Sequence, residues 1–79
     1  MSRRDKLLAK IRNNPNAVRF EELTNLLKGY GFELKRIKGS HHAYTRGNYS
    51  VIVARHGAYV SPSAVKEVLE IIDEILEEE

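Results

Sequence analysis

His41-His42-Ala43-Tyr44-Thr45-Arg46-Gly47-Asn48-Tyr49-Ser50-Val51-Ile52-Val53-Ala54 is the stretch on which the reading of the fold depends. Two runs rich in β-branched and aromatic residues flank Gly47-Asn48, a dipeptide suited to the tight loop of a hairpin. Strands are therefore expected over residues 41 to 46 and 49 to 55. If Gly47-Asn48 is the whole loop, Arg46 pairs with Tyr49; the ladder then sets Tyr44 against Val51, His42 against Val53 and His41 against Ala54. Opposite residues share a face, so Tyr44, Tyr49, Val51 and Val53 define the buried side. The open side carries His41, Ala43, Thr45, Ser50, Ile52, Ala54 and His56, with His41 and His56 as diagonal neighbours and His42 pointing the other way.

Upstream lies Lys38-Gly39-Ser40, a glycine turn opening directly into the histidine pair. Glycine allows positive φ and close approach of another backbone, and Ser40 offers a hydroxyl and an N–H. An imidazole follows, a group that exchanges protons near neutral pH. Residues 34 to 66 hold six basic residues and no acidic one, whereas seven acids gather between Glu67 and Glu79. Phe32-Glu33-Leu34-Lys35 alternates as a first strand half buried against a helix would, and Ile37 breaks its phase, which a bulge near Gly39 would reconcile.

Helices complete the frame. Phe20, Leu23, Leu26, Leu27 and Tyr30 recur at three- and four-residue spacing, with Gly29 and Gly31 as stop signals, and predict a helix from about Phe20 to Lys28. A final helix starts with Ser61 as N-cap and Pro62 in its first turn, and presents Val65, Val68, Leu69, Ile72, Ile75 and Leu76 to the sheet. Its acidic end opposes the helix dipole, so Glu77-Glu78-Glu79 is expected to fray. Residues 3 to 12 read as a short amphipathic helix on Leu7, Leu8 and Ile11, closed by Asn13-Asn14-Pro15-Asn16. The fold class is α+β: a three-stranded antiparallel sheet with helices on one face in the order α-β-β-β-α, plus an extra N-terminal helix. Residues 1 to 79 are expected to form one domain, with 1 to 17 as a helical extension of an 18 to 79 core.

Composition narrows the function. A chain of 79 residues that is 42% hydrophobic has no room for a separate cofactor domain, and buries only about 60% of its unfolded surface. No cysteine is present, which removes disulfides, thiolate metal sites and redox switching and fits a reducing cytoplasm. The short apolar run after Met1-Ser2-Arg3-Arg4 is broken by Lys10, so neither a signal peptide nor a membrane span is expected. No metal site and no cofactor are expected, because adjacent strand histidines face apart and no carboxylate lies near them in sequence. Ser40 beside His41 is not a triad, since no local acid could orient the imidazole. A basic surface holding phosphates beside an imidazole suits RNA, whose own 2′-hydroxyl is the nucleophile once a base removes its proton.

From about Val18 to Leu76 the chain resembles the HicA family of toxin–antitoxin toxins, also called YcfA-like proteins. The resemblance rests on Gly31-Phe32, on Arg36 before the turn, on Lys38-Gly39-Ser40-His41-His42 with Tyr44, and on Arg55-His56-Gly57 before a terminal helix. It implies a double-stranded-RNA-binding-domain-like fold, cleavage of messenger RNA, and neutralisation by a HicB antitoxin. It also implies that His41 is the essential histidine, that Gly39 is the matching glycine, and that His56 is a second, less strictly required acid/base. Members usually carry a proline before the basic-His pair and a lysine soon after the following glycine, where this chain has Ala54 and then Ala58 and Tyr59. On this reading Gly39 and Ser40 shape the phosphate site while Lys38, Arg36 and Arg55 hold RNA. The alternatives are an RNA-binding module of the same fold without cleavage, and a protein-interaction domain that uses the acidic helix.

Overall fold

The computed structural model describes residues 2–79. Its elements run α1 (Arg3–Asn13), α2 (Phe20–Gly29), β1 (Glu33–Lys38), β2 (His41–Arg46), β3 (Tyr49–Ala54) and α3 (Pro62–Glu78), with the three strands antiparallel in the order β1-β2-β3. The α+β expectation and the α-β-β-β-α order hold. Both hairpins turn on two residues, Lys38 pairing with His41 and Arg46 with Tyr49. Gly39 (φ 60°) and Gly47 (φ 56°) take the first loop position, and among the described residues no non-glycine residue has positive φ, the pattern of a type II′ turn. That turn matches the twist of the flanking strands, so it locks the register. The β2–β3 ladder follows residue by residue the pairing read from the sequence.

The bulge lies elsewhere than expected. The register shifts between Leu34 and Arg36, leaving Lys35 as the extra residue, while the turn at Gly39 is regular. Leu34 pairs with Tyr44 and Ile37 with His42, so both apolar side chains stay on the helix side although three positions separate them. Arg36 and Lys38, opposite Ala43 and His41, are turned to the open side. The first strand is also less buried than its alternation suggests. Phe32 reaches the core just before it begins, but every residue of β1 is exposed, Leu34 by 41% and Ile37 by 57%. As an outer strand, β1 extends past the helices, which cover β2 and β3.

Local chemistry accounts for the helices. At the end of α2 the N–H of Gly31 (φ 87°) donates to Lys28 and that of Phe32 to Leu27, a Schellman closure whose hydrophobic member is the buried Phe32. Ser61 Oγ accepts from the N–H of Ala64 at 3.3 Å, Pro62 follows, and α3 buries Val65, Val68, Ile72 and Ile75. Its C-terminus does not fray as the dipole argument suggests: the helix continues through Glu78, whose carboxylate accepts a 2.8 Å hydrogen bond from the Tyr49 hydroxyl. That contact raises the Tyr49 phenol above its ordinary pKa, since the neighbouring carboxylate disfavours phenolate.

The N-terminal helix belongs to the core. Leu8 and Ile11 are buried in the same cluster as the α2 and α3 side chains, and truncating a buried isoleucine to alanine typically costs about 2–5 kcal/mol. Lys10 Nζ meets Glu22 at 2.6 Å on α2, and Arg12 pairs with Asp73 on α3. The bond from Lys10, helped by the Arg19 backbone N–H, holds the Glu22 carboxyl below its ordinary pKa. A depressed carboxylate pKa contributes stability that is present above the unfolded value, about 4, and is lost as pH falls through the folded one. Glu22→Gln is therefore expected to unfold more easily than wild type at pH 7, with the difference shrinking below pH 4, as thermal melts across pH would show.

Candidate functional site

β2 opens with His41, and the pleat sends its imidazole to the uncovered face of the sheet. Across the turn its partner is Lys38; one step along the open face Arg36 lies opposite Ala43, which in turn lies opposite Ile52. Together Arg36, Lys38, His41, Ala43 and Ile52 line a recess of about 300 Å³. Its floor is apolar, Ile52 being 58% exposed, and its rim is cationic. Among the described residues no carboxylate forms an ion pair with Arg36 or Lys38, whereas Lys35 on the bulge is paired with Glu33. A recess between Asp5 and Asn13 on α1 is larger, about 440 Å³, but no histidine lines it.

The second imidazole arrives from the far edge. His56, beyond the end of β3, brings its ring to 6.4 Å from that of His41, centroid to centroid, with the planes at 86°. Both rings are exposed, so each can reach a ligand. His42, one residue away, does a different job. Its ring packs edge-on against Phe20 of α2 at 4.8 Å, and Nδ1 donates to the Ser40 carbonyl at 3.1 Å. The same carbonyl accepts the Arg55 N–H at 2.8 Å, so Ser40 ties the turn to β3.

The seven residues singled out in the sequence divide accordingly. Arg36, Lys38, His41 and His56 come together on the open face, and Gly39 and Ser40 form the turn that sets Lys38 against His41. Arg55 does not join them. Its guanidinium lies over the Phe20 ring at 5.0 Å and donates to Glu21 at 3.0 Å, bracing the end of β3 against α2. Residue parity already hinted at this, since Arg55 alternates with Ala54 and His56 on the open side. Ile52, the floor of the recess, was legible as an open-face apolar residue but was not singled out. Among the described residues no group of three or more His, Asp and Glu could hold a metal ion, and no helix is long and apolar enough to cross a membrane.

A helix-backed antiparallel sheet of this order, with basic residues and imidazoles on its bare face, defines a small α+β protein of the double-stranded-RNA-binding-domain-like architecture. The family model described as HicA toxin of bacterial toxin–antitoxin matches residues 20–73, well over half of the chain, and the chain belongs to that family. The match runs from the start of α2 into α3 and leaves α1 outside. No significant match was found among curated proteins or among solved structures.

The two adjacent histidines should separate in stability measurements. His41 is exposed, so His41→Ala is expected to leave unfolding free energy within about 0.5 kcal/mol of wild type. His42→Ala, which loses the Phe20 contact and the bond to Ser40, is expected to cost about 1–3 kcal/mol in urea denaturation.

Proposed function

We propose that this toxin is an endoribonuclease that cleaves messenger RNA by way of the RNA's own 2′-hydroxyl. The observation that carries the reading is the meeting of His41, His56, Arg36 and Lys38 on one uncovered sheet face. One imidazole takes the 2′-hydroxyl proton and the oxygen attacks the adjacent phosphorus. The other gives a proton to the departing 5′-oxygen, leaving a 2′,3′-cyclic phosphate and a 5′-hydroxyl. At 6.4 Å between centroids the two rings are close enough for one phosphodiester lying across them to meet both. Arg36 and Lys38 bind the nonbridging oxygens as negative charge builds on them, and Gly39 and Ser40 hold Lys38 at its place beside His41. Arg55, braced on Glu21, supports this end of the sheet and meets RNA only by exchanging that partner.

His41 is the principal acid/base because it lines the same recess as both cations; His56 reaches it only from the edge. No metal and no cofactor enter this scheme. The partner that fits is a HicB-like antitoxin presenting carboxylates to the recess, and the compartment that fits is the cytoplasm, where messenger RNA is translated.

Incubation of the protein with end-labelled single-stranded RNA in EDTA tests the reading. Cleavage yielding 2′,3′-cyclic or 3′-phosphate ends is expected, reduced about 100- to 10,000-fold in His41→Ala and less in His56→Ala. RNA binding without cleavage by wild type would leave a binding module instead. A matched glycine pair gives a second check. Both have positive φ, and a Cβ added at either would meet nothing within 4 Å, so Gly39→Ala and Gly47→Ala should each cost only backbone strain, about 1–2 kcal/mol. Only Gly39→Ala is expected to slow cleavage.

A further inference from the structure

The loop that leaves β3 carries a large side chain that the core does not use. Tyr59 is 51% exposed. Its backbone nevertheless bridges to Arg19, and the N–H of the next residue, the buried Val60, donates to the carbonyl of the buried Val18 at 2.9 Å. The tyrosine is thus outward-facing on an anchored loop. Above its ring, 5.5 Å from the centroid, lies the guanidinium of Arg19, which among the described residues forms no ion pair with a carboxylate. An outward-facing aromatic and a cation with no carboxylate at ion-pair distance are the two parts that single-stranded nucleic acid requires, one for a base and one for a phosphate.

We infer that Tyr59 and Arg19 form a base-stacking subsite for a nucleotide of single-stranded RNA flanking the one cleaved, an assignment that rests on the ribonuclease reading. Position supports it. Tyr59 follows His56 by three residues, which limits their separation to roughly 11 Å even for extended chain. The surroundings favour RNA over a protein partner. The other large exposed apolar residues among those described, Leu34, Ile37 and Ile52, all lie on the strands, so Tyr59 is not part of a contiguous apolar patch of the kind that marks a protein contact. What adjoins Tyr59 is the Arg19 cation, and three residues before it in the chain stands His56. Since every base has a π-face, the subsite adds affinity with little choice of sequence.

The chain contains no tryptophan, so Tyr59→Trp installs a single indole at the subsite, excitable apart from the remaining tyrosines. In a His41→Ala background, single-stranded RNA is expected to quench its emission, and an abasic oligomer of equal length is expected not to. Tyr59→Ala should weaken binding of labelled RNA, read by anisotropy, about 5- to 100-fold, while Tyr59→Phe stays near wild type. Labelled RNA that binds the Tyr59→Trp variant without changing its indole emission would overturn the subsite and leave the ribonuclease reading standing; absence of RNA binding would overturn both. If Tyr59→Ala leaves RNA affinity unchanged and loosens the complex with the antitoxin, the aromatic belongs to a protein interface and the proposal fails.

Discussion

Everything about the site depends on the parity of the β2–β3 ladder. A strand shows alternate residues to alternate faces, and one step of slippage would exchange the two sets. The Gly39-Ser40 and Gly47-Asn48 loops prevent that step, each placing glycine where the backbone must adopt positive φ. With the register fixed, two adjacent histidines acquire opposite fates. His41 faces the cationic recess, and His42 is spent on Phe20 and the Ser40 carbonyl.

The same parity separates charge from hydrophobic contact. Tyr44, Val51 and Val53 meet the helices, whose outward surface on α3 carries Glu67, Glu70, Asp73 and Glu74, while Arg36 and Lys38 occupy the opposite, uncovered side. A net charge of only +2 therefore averages an acidic α3 surface against a cationic sheet face, with further cations on α1 and α2. Such a distribution orients an approaching polyanion toward the sheet face more than it tightens the final complex.

What could be read from the sequence was what short-range rules determine. The β2–β3 pairing follows from period-two alternation and one dipeptide loop, and the start of α3 from Ser61-Pro62; both are matters of four or five neighbouring residues. The bulge was anticipated as a break of phase, but its position was not, because Leu34, Lys35 and Arg36 are equally able to be the extra residue until Tyr44 and Ala43 select among them. Distance in the chain hid the rest. Nothing near Arg55 announces Glu21, which lies in a different element, and nothing near Glu78 announces Tyr49. For the same reason the sequence left open what the extension formed by α1 does, whether it binds a partner or completes the core; Leu8 and Ile11 are buried in that core.

The bulge at Lys35 also bears on solubility. β1 is an outer strand whose free backbone groups, beside Leu34 and Ile37, would template another chain if the strand were flat and neutral. An unpaired residue twists that edge, and Arg36 and Lys38 charge it, so a second copy meets both a mismatched ladder and like-charge repulsion. One extra residue thus directs Arg36 and Lys38 to the side of His41 and, at the same time, disfavours the pairing of another chain along this edge.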